Sequence, residues 1–543
     1  MFSSASTTLV ALLPLLASIP SIFALDESSA RSASVYQLVT DRFARNSSVT
    51  STCTASERKY CGGTWSAISD KLDYIQGMGF DTVWISPVVS NIGGTTGEGE
   101  AYHGYWTLDP NTLNSNYGSA DDLKTLSTNL HSKGMYLMVD VVINHVAATS
   151  SSTFQPDSAY GPFSTSDDYH PFCWITDYTN QTQVEDCWLG DSSVALPDLN
   201  TDSTTVSSYW NNWIQELVSN YTLDAIRIDT VKHVPKTFWP NFVSSANVFN
   251  QGEVLNGDAT YVGAYQSDGK VNPFNYPAYY PLTRAFNQTS GDLSELIAMT
   301  QTIKSSFSDP TLLGNFLNNH DNARFESTVT DASLIKNAHA YPFVTDGIPY
   351  GYYGSEAGFT GGNDPDNREP LWTSNYDTTS NMYKFFTSLN MARKAAGNAS
   401  TSFYTSQMNV SSLSSSSILI NKTPLISVLS NSGSSASDAS VTIPSSSSGW
   451  SANVAIVDSL SCEVLTTDGS GNLAVTVKTG LPRVFIQNSI KGQVCTGSAA
   501  TNTSTSSGSS GSSSGAITLK MDVKASWMIG AVGAVLGGMM MAL

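Results

Sequence analysis

Four clusters of polar side chains each follow a short apolar run, and each cluster contains a carboxylate. Carboxylates and histidines are the side chains that most often transfer protons or act as nucleophiles in enzymes. One such cluster resembles any junction between a strand and a loop, whereas four in order are not expected by chance. The set therefore predicts a catalytic site. Its members are Asp140, Asn144 and His145 in DVVINH; Arg227, Asp229, Lys232 and His233 in RIDTVKH; Glu253 in GEVL; and Asn319, His320 and Asp321 in NNHD.

The elements that would position these clusters are apolar runs rich in β-branched and aromatic residues, alternating with helical patterns. Such alternation predicts parallel βαβ units, and this many units favour an α/β fold of the (β/α)8 (TIM) barrel type. A barrel has its active site at the carboxyl ends of its strands, where the four clusters fall. The strand candidates are 35–38, 82–86, 136–143, 223–228, 248–254, 312–317 and 347–353, and the helix candidates include 66–78 and 120–133.

Two regions depart from this alternation. Residues 145–199 hold two cysteines, many Asp, Ser, Thr and Tyr residues and no clear helix, which indicates a subdomain (domain B) inserted after the third strand. Residues 403–496 carry short Ser-rich β-type segments (ISVLS, SVTIP, NVAIVD, LAVTVK, RVFIQ) and predict a C-terminal antiparallel β-sandwich, domain C. The barrel, domain A, would then consist of residues 25–144 and 200–402.

The N-terminal end predicts export. Residues 1–24 contain an apolar stretch that is interrupted by Pro14 and Pro20, which is typical of a cleaved secretory signal peptide. Sequons for N-glycosylation suit an exported chain, although some arise by chance in a Ser/Thr-rich sequence. The sequons are at Asn46, Asn180, Asn220, Asn287, Asn398, Asn409, Asn421 and Asn502.

The C-terminal end resembles an anchoring signal. Residues 497–516 form a Ser/Gly-rich linker, and residues 517–543 end in an apolar run with no Lys or Arg after it. Small residues, a polar spacer and an apolar terminus predict removal of 517–543 and attachment of a glycosylphosphatidylinositol (GPI) anchor. A retained transmembrane helix is the alternative, but the apolar run 527–543 is at the lower limit of a span. We expect an extracellular protein, anchored at the plasma membrane or transferred to the cell wall.

Composition limits the partners. The 543 residues carry a formal net charge of -19, and only 13% of them are charged. An acidic chain repels phosphates and anionic headgroups, so we expect no nucleic acid, contact with the membrane through the lipid anchor only, and a neutral substrate. A monomer is expected.

Six cysteines in an exported chain predict three disulfides, and the sequence alone allows about 15 connectivities. They fall into three close pairs, so pairing between neighbours is the natural hypothesis. No C-x-x-C motif is present, which argues against a zinc or redox site.

The four clusters resemble, in their usual order, the four conserved regions of the α-amylase family of glycoside hydrolases, family 13. Five further segments resemble secreted fungal α-amylases, and the resemblance covers about residues 33–495. It implies retaining, endo-acting hydrolysis of α-1,4-glucosidic bonds in starch, glycogen or related α-glucans. The segments are CGGTW at 61–65, AYHGYW at 101–106, NYGSADDLK at 116–124, LPDL at 196–199 and GGNDPDNRE at 361–369.

The resemblance also implies roles for individual residues. Retention requires one carboxylate that attacks the anomeric carbon and one carboxylic acid that protonates the leaving oxygen. Asp229 matches the nucleophile, Glu253 the acid/base and Asp321 the carboxylate that holds the sugar hydroxyls. Arg227, two residues before Asp229, can keep that carboxylate ionised. The implied substrate-binding residues are His103, Tyr105, Trp106, His145, Arg227, Lys232, His233, His320, Asp364 and Arg368.

A structural Ca²⁺ ion is implied by the same resemblance, between the barrel and domain B. Its ligands would be Asn144, Asp198 and the main-chain carbonyls of Glu185 and His233. The resemblance further implies the disulfides Cys53–Cys61, Cys173–Cys187 and Cys462–Cys495. A fourth bridge that is usual in secreted fungal amylases is missing, so residues 260–310 are expected to be less constrained.

The sequence is compatible with two other functions. Some membrane-anchored fungal members of the family are 4-α-glucanotransferases that act on cell-wall α-glucan, and transfer shares its covalent intermediate with hydrolysis. The tail, together with Arg58, Asn256 and Asn318, keeps that alternative open. A glucan-binding protein without activity is the third possibility, but all three catalytic carboxylates are retained. We favour the hydrolase.

Overall fold

The computed structural model describes residues 24–496. The strands are β1 Val35–Gln37, β2 Thr82–Ile85, β3 Tyr136–Val141, β4 Leu189–Gly190, β5 Ala195–Leu196, β6 Ala225–Ile228, β7 Phe249–Gly252, β8 Gly314–Asn315, β9 Ile348–Tyr352, β10 Asn409–Ser414, β11 Ser417–Lys422, β12 Leu425–Ser430, β13 Ala439–Ile443, β14 Ala455–Asp458, β15 Val464–Thr466, β16 Leu473–Val477 and β17 Arg483–Gln487. The α-helices are α1 Glu27–Ala30, α2 Thr40–Phe43, α3 Trp65–Ser69, α4 Leu72–Gly77, α5 Ala120–Ser132, α6 Gln181–Asp186, α7 Thr204–Tyr221, α8 Trp239–Ala246, α9 Ala259–Ser267, α10 Tyr276–Phe286, α11 Leu293–Ser306, α12 Ala332–Val344, α13 Asn381–Ala399 and α14 Ser445–Ser448.

Seven parallel strands form the barrel in the order β7-β6-β3-β2-β1-β9-β8. Pro273 and Phe274 fill the eighth position, because Pro273 bridges to Gly252 of β7 and Phe274 bridges to Gly314 of β8, both in parallel orientation. The predicted (β/α)8 fold is confirmed, and each of the seven predicted runs contains a strand. No apolar run marks the eighth position in the sequence, since that position consists of only two bridging residues and one of them is proline.

Strand and helix formation follow the apolar pattern. All four residues of β2 are buried, as expected for a parallel strand that is covered on both faces. Helix α5 begins with a capping box between Ser119 and Asp122, and it buries the stripe Leu123, Leu126 and Leu130. Gly134, two residues after the helix, has a φ of 68° that favours glycine and turns the chain into β3.

The helix predicted at 66–78 is wrong in one respect, because the structure divides it into α3 and α4. The break is at Lys71, whose φ of -117° and ψ of 10° are not helical. Ile68 of α3 and Ile75 of α4 are both completely buried. The apolar pattern therefore continues across the break, and periodicity could not reveal it.

Domain B lies between β3 and β6, as predicted. It contains the β4–β5 hairpin and, contrary to the expectation of no helix, the short helix α6. The Asn180 side chain caps the N-terminus of α6. Val184 of α6 is buried and packs against Ile175 and the Cys173–Cys187 pair. Six residues are too few for a helical period to emerge from a polar sequence.

Domain C is antiparallel, as predicted. A six-stranded sheet in the order β10-β11-β12-β17-β14-β15 is accompanied by the two-stranded sheet β13-β16. Ile426, Ile443 and Phe485 belong to the core that the two sheets share with Trp450, which is 5% exposed. The structure adds β10, β11 and β15 to the predicted segments.

No helix within residues 24–496 is both long and apolar enough to cross a membrane. The predicted signal peptide, apart from residue 24, and the predicted linker and GPI signal in 497–543 lie outside the described residues. The sequon at Asn502 lies outside them as well.

Candidate active site

The guanidinium of Arg227 is the centre of the site. Its Nη1 donates to Asp140 Oδ1 at 3.0 Å and to Asp229 Oδ1 at 2.6 Å, and its Nη2 donates to Glu253 Oε2 at 3.0 Å. All four side chains are buried. They meet because β3, β6 and β7 are neighbours in register, with Arg227 opposite Asp140. Three of the predicted clusters thus converge on one cation.

The environment of Glu253 favours the protonated form of its carboxyl. Burial raises the pKa of its carboxyl, although the Arg227 charge acts in the opposite direction. The main-chain N–H of Thr230 donates to Glu253 Oε2 at 3.1 Å and fixes the carboxyl. A buried carboxyl that retains its proton can serve as a general acid.

Asp140 accepts hydrogen bonds from Arg227, Tyr105 and Trp84. Burial raises the pKa of Asp140 to about 7, against the opposing charge of Arg227. Tyr105 Oη donates to Asp140 Oδ2 at 2.7 Å, and Trp84 Nε1 donates to the same oxygen at 3.1 Å. The carboxylate therefore orients Arg227 and Tyr105 together.

Asp321 lies next to a second basic group. Arg368 places Nη1 2.7 Å from Asp364 Oδ1 and Nη2 3.8 Å from Asp321 Oδ1, and its Nε donates to the His320 carbonyl at 3.0 Å. Burial and the nearby charge of Glu253 raise the pKa of Asp321 well above its usual range. The structure thus brings the fourth cluster and the 361–369 segment together on one wall.

Aromatic and imidazole rings form a stacked wall beside Asp229 and Asp321. The Tyr105 ring stacks on His320 at 5.1 Å and 11°, and on His103 at 5.8 Å and 20°. His145 Nε2 lies 3.2 Å from the Tyr105 carbonyl oxygen. Burial lowers the pKa of His145 to about 4, and it lowers the pKa of His103 and His320 well below the usual value. Neutral imidazoles beside a tyrosine ring offer hydrogen bonds and an apolar surface without a charge.

Lys232 and His233 follow β6 on the side of domain B. Lys232 Nζ donates to the Leu255 carbonyl at 3.1 Å and lies 5.1 Å from the centre of the Tyr178 ring. His233 Nδ1 donates to the Val184 carbonyl of α6 at 2.9 Å, and burial lowers its pKa to about 3. The His233 side chain thus joins the loop after β6 to domain B.

A cleft between the barrel and domain B leads to these groups. It has a volume of about 800 Å³, and Asp321 and Arg368 line it together with Trp106. Aromatic rings and a few polar groups are the usual lining of a site that binds a neutral ligand. Its other lining residues include Arg58, Glu98, Trp174, Tyr178, Trp188, Leu255, Tyr280 and Asp364.

Known proteins share this architecture. A family model described as the catalytic domain of alpha amylase matches residues 37–405, and a model of alpha-amylase domain C matches residues 402–504. The chain belongs to the α-amylase family. It is therefore a glycoside hydrolase by family.

Fungal relatives are similar to this family member over nearly their whole length. Alpha-amylase 2 of Schwanniomyces occidentalis is 45% identical over 496 residues, which are 89% of this chain and 97% of that protein. The alpha-amylase of Saccharomycopsis fibuligera is 46% identical over 466 residues, 86% of this chain and 93% of that protein. The structure of an alpha-amylase from Malbranchea cinnamomea has a TM-score of 0.83 at 40% identity, covering 86% of this chain and 99% of that one.

In this α-amylase family chain, several contacts to the site were missed by sequence reasoning. Gln37 of β1 lies 2.6 Å from His320 Nδ1 through its Nε2, and Asn319 Nδ2 donates to Tyr276 Oη at 3.1 Å. Arg58 bridges Glu98 at 2.7 Å and Asp364 at 3.4 Å. These partners are up to 306 residues apart in the chain, so no local pattern could have found them.

Two of the residues that the family resemblance assigns to calcium, Asn144 and Asp198, lie on neighbouring chain segments. Asp198 bridges to His145, and the Leu199 N–H donates to the Asn144 carbonyl at 2.9 Å. Asn144 Oδ1 and Asp198 Oδ2 are buried and have no hydrogen-bond partner. Residues 24–496 contain no group of three or more His, Cys, Asp and Glu side chains arranged for a metal ion. A site here would depend on amide and main-chain oxygens in addition to one carboxylate.

The remaining predicted positions fall on the surface or in disulfides. The structure forms Cys53–Cys61, Cys173–Cys187 and Cys462–Cys495. Asn421 is half-buried and its Nδ2 donates to the Ser447 carbonyl, so its amide is already engaged in the folded domain. The exposed sequon asparagines are Asn46, Asn180, Asn220, Asn287, Asn398 and Asn409.

Proposed function

We propose that this protein is a retaining, endo-acting α-amylase that hydrolyses α-1,4-glucosidic bonds in starch, glycogen or related α-glucans. The observation that carries the proposal is the hydrogen bonding of Asp229 and Glu253 to one guanidinium, that of Arg227, beside an aromatic-lined cleft. A shared guanidinium keeps the two carboxyls close. Retaining pairs lie about 5 Å apart, whereas inverting pairs need about 6.5–9.5 Å for a water molecule.

The chemistry follows from the environment of each carboxyl. Asp229, paired with the Arg227 cation, attacks the anomeric carbon, and Glu253, with its raised pKa, gives its proton to the leaving glycosidic oxygen. Glu253 then takes a proton from water, which releases the sugar from Asp229. Asp321 and the neutral His320 hold hydroxyls of the distorted ring, contacts that stabilise the transition state more than the bound substrate.

Glucanotransfer is not favoured, because the named relatives that match nearly this whole chain are α-amylases. Incubation of the purified protein with maltopentaose separates the possible functions. Hydrolysis gives only shorter chains. Chains longer than maltopentaose would establish transfer, and an unchanged substrate would leave only binding.

A structural Ca²⁺ ion belongs to the proposal. Asn144 Oδ1 and Asp198 Oδ2, both buried without a hydrogen-bond partner, are suitable oxygen ligands, and the carbonyls of Glu185 and His233 would complete the set. The bound ion would supply stability by tying domain B to the loop after β6. It takes no part in bond cleavage, which Asp229 and Glu253 perform.

Export and anchoring complete the proposal. The signal-peptide pattern in 1–24 and the small residues, spacer and apolar run in 513–543 support a protein held at the cell surface by a GPI anchor, at the plasma membrane or in the wall. Treatment of intact cells with a phosphatidylinositol-specific phospholipase should release the enzyme. Retention on the cells, with normal hydrolysis of maltopentaose, would overturn the anchor and leave the activity intact.

A further inference from the structure

Domain B presents aromatic rings to solvent. Four large apolar side chains among residues 24–496 are strongly exposed, and two of them, Phe172 at 51% and Tyr178 at 46%, lie in one short segment of domain B. The other two, Met391 and Val464, are in α13 and β15. Exposed aromatic rings grouped beside a cleft mark a binding surface more often than single exposed side chains do.

The rings of this segment are held in place. The centre of the Phe172 ring lies 5.1 Å from Trp174 and 5.0 Å from Trp188, and both pairs are close to perpendicular. Trp188 is 5% exposed and donates Nε1–H to the His170 carbonyl at 3.2 Å. The Cys173–Cys187 disulfide and the bridge between Trp174 and Trp188 join the two chain segments. A surface that is already ordered loses little entropy when it binds a ligand.

This surface is continuous with the substrate cleft. Trp174, Tyr178 and Trp188 line the cleft that reaches Asp321. The centre of the Tyr178 ring lies 5.1 Å from Lys232 Nζ. Trp174 is four residues before Tyr178 in the chain. The Phe172 ring contacts the lining residue Trp174 and is exposed to solvent.

We propose that Phe172 and Trp174 form a distal stacking platform for glucose units of an α-glucan chain that already occupies the cleft. The inference rests on the proposed function and deepens it, because it makes the enzyme select for long chains. Glucose rings present apolar C–H faces, which pack on aromatic rings without needing a charge. The occupant is the extension of the bound chain, since Trp174 both lines the cleft and contacts Phe172.

The test compares a long and a short substrate. In Phe172→Ala, kcat/KM for amylose should fall about fivefold through a higher KM, whereas kcat/KM for p-nitrophenyl α-maltotrioside stays unchanged because that substrate is too short to reach the Phe172 ring. Trp174→Ala should lower kcat/KM for amylose by at least as much. Trp174→Phe keeps a ring and should retain most of the wild-type preference for amylose. Val464→Ala, which removes an exposed apolar side chain in domain C, is the matched control and should change neither value.

Other outcomes would overturn either the platform or the proposed function. Equal losses on both substrates with an unchanged melting temperature, or no loss on either, would overturn the platform. If Trp174→Ala melts early, Phe172→Ala decides, because its side chain is half exposed. A change in sedimentation of Phe172→Ala without an effect on amylose would instead assign the rings to self-association and overturn the proposal. Wild-type protein inactive on both substrates would refute the proposed function itself.

Discussion

Gln37 places its side-chain nitrogen Nε2 2.6 Å from Nδ1 of His320, although the two residues are 283 positions apart. An amide nitrogen can only donate, so Nδ1 accepts and the ring proton is on Nε2. His320 Nε2 lies 3.4 Å from Asp321 Oδ1. Burial keeps the pKa of His320 well below its usual value, so the ring is neutral. Gln37 therefore selects the tautomer that can donate to a sugar oxygen beside Asp321.

Gln37→Leu should lower kcat/KM for maltopentaose about tenfold, because the neutral ring loses the partner that fixes its proton on Nε2. The pH profile of the variant should change as well, since loss of packing alone would not alter the protonation of His320. Steady-state kinetics across pH measure both effects. Gln76→Leu, at an exposed amide that donates to the Lys133 carbonyl, is the control. A wild-type profile in Gln37→Leu would rule out this positioning role.

Asp229→Asn should lower kcat by at least about a thousandfold, because an amide cannot form the covalent glycosyl ester. The fold should remain intact, since Arg227 keeps Asp140 and Glu253 as partners. Activity on maltopentaose and a thermal melt measure the two effects. Asp73→Asn, at a side chain that is 84% exposed, should behave as wild type. A variant with a tenth of wild-type activity would refute the nucleophile assignment.

The alkaline limb of activity should follow Glu253. Glu253 must carry its proton to act as the general acid, and burial raises the pKa of its carboxyl. Activity should therefore persist above the pH range in which a glutamic acid usually loses its proton. It should fall as the pH rises through the raised pKa of Glu253. The Lys232 cation lowers this pKa, so Lys232→Met should shift the limb upward by less than about one pH unit. Profiles of kcat/KM against pH locate the limb. Exposed Lys124→Met should leave its position unchanged, and a downward shift in Lys232→Met would contradict the assignment.

Removal of calcium should destabilise the enzyme without acting on its chemistry. An excess of EGTA should lower the Tm by about 5 °C, because a ligand that binds only the folded state stabilises it. Asp198→Asn should start with a lower Tm and lose the response to EGTA. Exposed Asp167→Asn, also in domain B, should respond as wild type does. Differential scanning calorimetry measures these shifts, and an unchanged Tm of wild-type protein in EGTA would count against the ion.

Local pattern was sufficient for the seven strands of the barrel and for the composition of the site. Each of the seven predicted runs contains a barrel strand, and the polar residues at its end mark where the chain leaves the barrel, as with Asp229 after β6. Resemblance in the four clusters then supplied the family. Helix boundaries were less predictable, because α3 and α4 bury the same face across the break at Lys71.

Long-range partners could not be predicted in this way. The eighth barrel position at Pro273 and Phe274 depends on bridges to Gly252 and Gly314, which no local period records. Trp84 and Tyr105 bind the same oxygen of Asp140 only because the barrel closes around them.

The sequence by itself determined which residue types were available, their order along the strands and the family to which the chain belongs. Only the tertiary structure decided that one guanidinium, Arg227, serves Asp140, Asp229 and Glu253 together, and that Gln37 sets the proton on His320. The reason is physical. Apolar periodicity is a local property of the chain, whereas hydrogen bonds between buried polar groups depend on distances that exist only after the strands have closed into a barrel.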